Sequence, residues 1–312
     1  MQELVTYSTG SSIVESKPIT ENMLADFIAF IDAAPKTVET YSRALKQFFK
    51  YIYQNGIERP TREDVINYRE QLKEEHAAAT VQNYMVAIRL FFSWTSSRNL
   101  YPNIAENLKG AKITKGYKRD YLTSKQVRKI LSTIDTSTTQ GKRDYAICSL
   151  MITAGLRDIE VRNLDIADLR TLGDFTVVYL LGKGRDEKAE YVKVVEPVED
   201  AIRTYLKAAE LNEGKGAMFV SLSNHGKGQR MTTRSISRIC KNALVAAGFD
   251  SSRLTAHSFR HTAITLSLLG GKTLQEAQQF ARHSSINTTQ IYAHNLDRAK
   301  NDCEETIAKA IF

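Results

Sequence analysis

The feature that most limits how this chain can fold is a break near its middle. Lys109-Gly-Ala-Lys112-Ile-Thr-Lys115-Gly-Tyr-Lys118-Arg119 packs five cations and two glycines into eleven residues, with no acid among them. Such a stretch reads as an interdomain linker. The 312 residues therefore divide into two cores, which suits a chain too long for one small core. The organisation expected is an N-terminal arm over residues 1–18, a helical domain over 19–108, the linker over 109–120, a second domain over 121–300 and a tail helix over 301–312.

Before the break, apolar residues recur at helical spacing in four runs. Met23, Leu24, Phe27, Ile28 and Ile31 form one face of a first helix that begins near Thr20 and is expected to end at Ala33-Ala34-Pro35. Val38, Tyr41, Leu45, Phe48, Phe49 and Ile52 form a second, from about Thr37 to the turn at Asn55-Gly56. Thr61 caps a third, with Glu63 and Asp64 where the helix dipole favours acids. The fourth carries Val81, Tyr84, Met85, Ile88, Phe92 and Trp94, the only tryptophan. The aromatic stripes read as core.

After the break the pattern mixes periods. Thr123-Ser-Lys-Gln126 is a capping box. A helix from about Gly141 leads to Gly155-Leu-Arg157-Asp-Ile-Glu160. Residues 175–181 and 189–195 are β-rich runs around Gly182-Lys183-Gly184, which predicts a hairpin. Residues 218–221 suggest a further short strand, and Thr232 or Thr233 caps a helix with Arg234, Ser235, Arg238 and Lys241 on its polar side. The fold class expected is mainly α with a small antiparallel β-sheet.

Lys and Arg outnumber acids 43 to 35, for a net charge of +8. Residues 1–110 hold 12 basic and 13 acidic side chains, and residues 111–312 hold 31 and 22, so the whole excess lies in the second part. That fits a domain that handles a polyanion. Cys148, Cys240 and Cys303 are scattered and form no CxxC pair, as expected of reduced thiols in a cytoplasmic protein. No charged-then-apolar leader and no run of 18 apolar residues is present.

Single residues say little. His257 and His261 are one helical turn apart, but no third metal ligand keeps a recognisable spacing. Gly182-Lys183-Gly184 lacks the rest of a P-loop. Together, however, Arg157, Lys183, His257, Arg260, His283 and Tyr292 supply metal-free phosphoryl transfer. Two arginines can clamp a phosphodiester and offset the charge that grows in a pentacovalent transition state. A tyrosine can attack phosphorus, a lysine on a hairpin can protonate the leaving oxygen, and histidines can share protons or donate to phosphate.

With Ala154-Gly-Leu-Arg157-Asp-Ile-Glu160, Gly182-Lys183-Gly184, His257-Ser-Phe-Arg260-His261-Thr262, and His283 nine residues before Tyr292, the chain strongly resembles the tyrosine recombinase family, of phage integrase and Xer type, over about residues 20–305. The resemblance implies an N-terminal core-binding bundle and a C-terminal catalytic domain closing as a clamp on double-stranded DNA with inverted half-sites. It also implies a homo-tetramer that exchanges strands through a Holliday junction. By motif, Arg157 and Arg260 hold the scissile phosphate, Lys183 protonates the leaving 5′ hydroxyl, and His257 assists proton transfer at the tyrosine. His283 donates to the phosphate, Tyr292 forms the 3′-phosphotyrosyl link, and Glu160 positions the first arginine. One ester replaces another, so no metal or nucleotide cofactor is expected. Where the family usually has Leu-Gly-His, this chain has Ala281-Arg282-His283. Arg282 in place of glycine implies an ordinary backbone geometry there, or an extra phosphate contact.

The residues expected on DNA are Arg43, Lys46, Gln82, Asn83 and Arg89 in the first domain, and Lys112, Lys115, Lys118 and Arg119 in the linker. In the second domain they are Lys227, Arg230, Arg234, Ser235, Arg238 and Lys241. A solvated face explains any one of them equally well. The short arm favours a simple Xer-like or mobile-element enzyme over a phage integrase with an extra arm-binding domain. The competing readings are a type IB topoisomerase, which shares the chemistry, and a non-catalytic DNA-binding regulator.

Overall fold

The computed structural model describes residues 18–112, 120–181, 187–211, 216–224, 226–300 and 303–312. These fall into two compact units, residues 1–116 and 117–312, so the division falls within the stretch expected as a linker.

In the first unit, four helices follow the four apolar runs: α1 (Glu21–Phe30), α2 (Pro35–Gln54), α3 (Arg62–Glu75) and α4 (Ala78–Ser97). Thr20 caps α1, and Thr61 with Asp64 forms a reciprocal capping box on α3. The expected second boundary moves. Pro35 opens α2 two residues ahead of Thr37, because a proline at the first helical position forfeits no hydrogen bond. The core is aromatic. Phe48 meets Tyr68 and Phe92 edge-on, with ring centroids 5.2 and 6.0 Å apart. Arg62, Arg69 and Arg89 donate to the carbonyls of Glu106, Lys109 and Leu108 at 2.7, 2.9 and 2.9 Å, which ties the segment after α4 back onto the helices.

The second unit surrounds α6 (Thr139–Ala154), whose residues 146–152 are buried all round. It also has α5 (Ser124–Ser132), α7 (Asp158–Arg162), α8 (Glu196–Ala208), α9 (Thr233–Ala246), α10 (Ala256–Leu269), α11 (Leu274–Ala281), α12 (Ile286–Lys300) and α13 (Cys303–Ile311). The capping box at Thr123 and Gln126 and the cap at Thr232 stand where the sequence put them.

A three-stranded antiparallel sheet has β2 (Phe175–Leu180) between β1 (Leu169–Leu172) and β3 (Glu190–Lys193), with Leu169 opposite Val178 and Val178 opposite Val192. The hairpin is the expected one with shorter strands. β1 was not expected. Three of its four residues are exposed, so no apolar alternation marks it. The strand expected over 218–221 is reduced to isolated bridges, Asp165 with Ala217 and Val220 with Arg230. Among the described residues, no helix is long and apolar enough to cross a membrane.

Candidate active site

The site is assembled at helix ends. α6 terminates at Gly155, which sits in the left-handed region at φ 60°, and a Cβ there would stand 3.0 Å from the Phe280 ring. Two residues on, Arg157 is the N-cap of α7. Its backbone N–H donates to Glu160 Oε2 at 2.8 Å, and its guanidinium Nη1 donates to Oε1 at 2.7 Å.

Arg260, on α10, is 1% exposed. It donates through Nη1 to the Gly155 carbonyl at 2.6 Å and through Nη2 to the Ala281 carbonyl. These are the C-terminal carbonyls of α6 and α11, which lack intrahelical partners and carry the negative end of each helix dipole. Arg260 thus ties the two helix ends together across 105 and 21 residues of sequence.

α11 ends in a Schellman motif: Arg282 N–H donates to the Gln279 carbonyl at 3.0 Å and His283 N–H to the Gln278 carbonyl at 3.1 Å. Gln278 Nε2 also donates to the His283 carbonyl at 3.1 Å, so the His283 backbone is held on both sides. The motif needs a left-handed residue, and Arg282 supplies it at φ 53°, ψ 46°. This corrects the expectation of an ordinary backbone: the turn that glycine makes in the family is kept, at a cost of about 1–2 kcal/mol for a residue with a Cβ. Nor does the Arg282 side chain stand free for an extra phosphate contact. Its Nη2 is 2.8 Å from Glu160 Oε2, and its Nη1 donates to the Phe280 carbonyl at 3.1 Å.

Tyr292, on α12, is 6% exposed and packs with Ile264 and Ala281. The rings of His257, His261 and Tyr292 run in sequence, with centroids 5.2 and 4.8 Å apart, and His283 lies 6.2 Å from Tyr292. His283 Nδ1 is 2.8 Å from the hydroxyl of the fully buried Thr289.

Three arginines crowd this site, and two of them, Arg157 and Arg282, share the Glu160 carboxylate. Burial pushes the Glu160 carboxyl up, but Arg282 and Arg157 outweigh it and hold the group below its ordinary value. Burial, then the charges of Arg157 and Arg282, bring Arg260 down to about 10, still cationic at neutral pH. Burial, then Arg260, Arg157, Arg282 and His257, bring His283 down to about 4, so its imidazole is neutral at pH 7. The excess of positive charge is unfavourable by itself, and an anion relieves it. A pentacovalent phosphorane, with more negative charge than its diester, relieves it further. That difference is what lowers a barrier.

Two clefts meet at Arg157. One, of about 740 Å³, is lined by His257, Thr255, Ser237, Arg238 and Lys241; the other, of about 920 Å³, by Glu160, Arg282, His283 and Tyr191.

Of the residues expected in the chemistry, Arg157, His257, Arg260, His283 and Tyr292 thus share one electrostatic site, with Glu160 beneath Arg157. Lys183 lies outside the described residues, as do Lys115, Lys118 and Arg119. Of those expected on DNA, Arg238 and Lys241 line the first cleft, and Arg234 on the same helix is exposed. Lys241 also pairs with Asp250 at 2.9 Å, and Ser235 is hydrogen-bonded to Thr232. Arg230 is committed within the chain, to the carbonyls of Arg162 and Leu164 at 2.8 and 2.9 Å and to Asp165. Lys46, Asn83, Lys112 and Lys227 are exposed, and Arg43 is exposed with Glu39 as its partner at 2.9 Å. Gln82 is half-buried against Gly110, and Arg89 is used on Leu108. Thr289 was not singled out in the sequence, and His261 was weighed there only as a metal ligand and as part of a motif. Their signal is spacing: each lies on the helical face of a named residue, Thr289 three before Tyr292 and His261 four after His257.

An arginine-rich site with a buried tyrosine, on a mostly helical unit, defines a class of DNA strand transferase, and the chain belongs to the phage integrase family. Residues 120–299 match that family, and residues 25–99 match its N-terminal SAM-like domain. Among curated relatives, it is 29% identical over 294 residues to the tyrosine recombinase XerC of Herpetosiphon aurantiacus, covering 89% of this chain and 92% of that one. It is 32% identical over 223 residues to the XerC of Corynebacterium glutamicum, covering 71% and 69%. Among solved structures, the fold is similar to the XerH site-specific recombinase bound to palindromic difH substrate, with a TM-score of 0.71 at 20% identity over 93% of this chain and 91% of that one.

Proposed function

We propose that this protein is a site-specific DNA recombinase that cuts and rejoins DNA through a 3′-phosphotyrosyl intermediate. The observation that carries this reading is one cationic centre: the charges of Arg157 and Arg260 act on His283, and His257, His261, Tyr292 and His283 form a series of neighbouring rings. The Tyr292 hydroxyl attacks phosphorus and forms a P–O bond as the bond to the 5′ oxygen breaks. Arg157 and Arg260 offset the charge on the phosphorane. Neutral His283 donates a hydrogen bond to a phosphate oxygen, and His257 relays the tyrosine's proton. Lys183 delivers a proton to the leaving 5′ oxygen. Religation is the same path in reverse with a different 5′ hydroxyl, so no cofactor is consumed. Glu160 fixes the orientation of Arg157.

The partner is double-stranded DNA carrying inverted half-sites, and the working unit is a homo-tetramer acting in the cytoplasm. The tail supports assembly: Ile307 and Ile311 on α13 and Phe312 just after it are exposed, an apolar set that a second copy would cover. The exposed polar side of α9 supports the DNA path beside Arg157.

The test is recombination between two copies of a duplex that the protein selects from a random pool, placed on one plasmid. Site-dependent deletion or inversion is expected. Relaxation of supercoiled plasmid lacking the site, by a monomer, would replace this reading with the topoisomerase one. Specific binding with no covalent product would leave a DNA-binding regulator.

A further inference from the structure

We propose that Arg282 is a positioning residue of this active site, joining the Arg157–Glu160 pair to the turn that presents His283. The inference rests on the recombinase reading for its cleavage assay and on the structure alone for the rest.

Four observations lead there. Arg282 holds a left-handed backbone, which among the described residues only Asn99, Asn107 and Glu210 share with it apart from glycines. A non-glycine residue stays there when its surroundings fix it. Its side chain is 9% exposed, deep for an arginine, and its Nε is buried with no hydrogen-bond partner. That is a costly placement for a residue with no task. Its Nη2 reaches Glu160 Oε2 at 2.8 Å and the Gly155 carbonyl at 3.4 Å, so one guanidinium touches the C-cap of α6 and the first turn of α7. Finally, it directly precedes His283, whose backbone the same Schellman turn holds.

The consequence is electrostatic and mechanical. Glu160 alone would neutralise Arg157 and leave the site with little more than the charge of Arg260. With Arg282 on the other oxygen, Glu160 still orients Arg157, and the cluster keeps two positive charges in excess. The tie also links residues 157–160 to residues 282–283, which are far apart in sequence. Arg282 does its work through Glu160 and His283, without touching phosphate.

Two variants separate this from a merely structural role. Arg282→Gly keeps the left-handed turn without strain and removes the guanidinium. Arg282→Lys keeps a charge but loses the fork. Both are compared with wild type on a duplex selected by the wild-type protein. Half-site binding is expected to stay within about threefold, while single-turnover covalent cleavage falls roughly 10- to 100-fold in Arg282→Gly, the usual penalty for losing an orienting partner. Arg282→Lys is expected to fall between the two. In histidine-labelled protein without DNA, the His283 titration midpoint is expected to rise in Arg282→Gly and stay low in Arg282→Lys. Cleavage by Arg282→Gly within twofold of wild type, or an unmoved His283 midpoint, overturns the proposal. Should wild type bind the duplex and form no adduct, the recombinase reading fails on its own, and the titration still decides the place of Arg282.

Discussion

Glu160→Gln is the sharpest probe of how this site is held together. Glu160 is 4% exposed and receives three donors: the Arg157 backbone N–H at 2.8 Å, the Arg157 guanidinium at 2.7 Å and the Arg282 guanidinium at 2.8 Å. The amide keeps one acceptor oxygen, turns the other position into a donor facing donors, and removes the carboxylate that Arg157 and Arg282 share. Removing one member of a buried ion pair costs about 3–5 kcal/mol. The retained oxygen sets the expectation near the lower end, about 3 kcal/mol. With a urea slope of about 2–3 kcal/mol per molar for a unit of this size, the midpoint should fall by about 1 to 1.5 M.

The chain offers an internal control. Trp94, the only tryptophan, is in the first unit, so its fluorescence follows that unit, while circular dichroism follows both. At pH 7 the dichroism transition of the second unit should move and the Trp94 transition should stay. The gap should also depend on pH with a fixed sign. The Glu160 carboxyl lies below its ordinary 4.5 in the folded chain, so its contribution is complete above that value and lost as pH falls through the folded value. Wild type and variant should therefore differ at pH 5 and converge in stronger acid. A shift below about 0.3 M at pH 7, or one shared by the Trp94 transition, would refute the account of Glu160 as the counter-charge.

Gly155→Ala places a Cβ in the left-handed region and 3.0 Å from the Phe280 ring, which should cost about 1–2 kcal/mol of stability and slow cleavage more than it weakens DNA binding; thermal melting and single-turnover kinetics check both. His283, at about 4 in the free chain, should titrate upward when duplex phosphate offsets the arginines, as read by NMR of labelled histidine. Because its folded value lies below the unfolded 6.5, His283 should also contribute stability present above pH 6.5 and lost as pH falls toward 4. Removing residues 303–312 should spare half-site binding and abolish assembly on paired sites, measured by gel mobility; unchanged recombination would contradict a docking role for α13.

Local features were the legible ones. Thr61 with Asp64 and Thr123 with Gln126 announce helix starts because a cap is a contact three residues long. The candidate residues Arg157, His257, Arg260, His283 and Tyr292 were legible as a pattern of residue types in one order. Its wiring was not. Arg260 reads as a phosphate clamp, yet it also fastens Gly155 to Ala281, and carbonyls 105 and 21 residues away leave no mark in local sequence. Arg282 misled for a related reason. A side chain where glycine is usual argues for an ordinary backbone, unless buried partners override the local preference, and Glu160 lies 122 residues away. β1 was missed because its exposed Leu-Arg-Thr-Leu carries no period, and pairing with β2 alone makes it a strand.

Strand cleavage turns on Tyr292. The direct measurement is mass spectrometry of peptides from the protein incubated with its selected duplex, nicked so that religation is blocked. The expected result is a 3′-phosphodeoxynucleotide on the peptide containing Tyr292, with none from Tyr292→Phe, which should still bind the duplex. An adduct on another residue, or an undiminished adduct in Tyr292→Phe, would contradict the assignment.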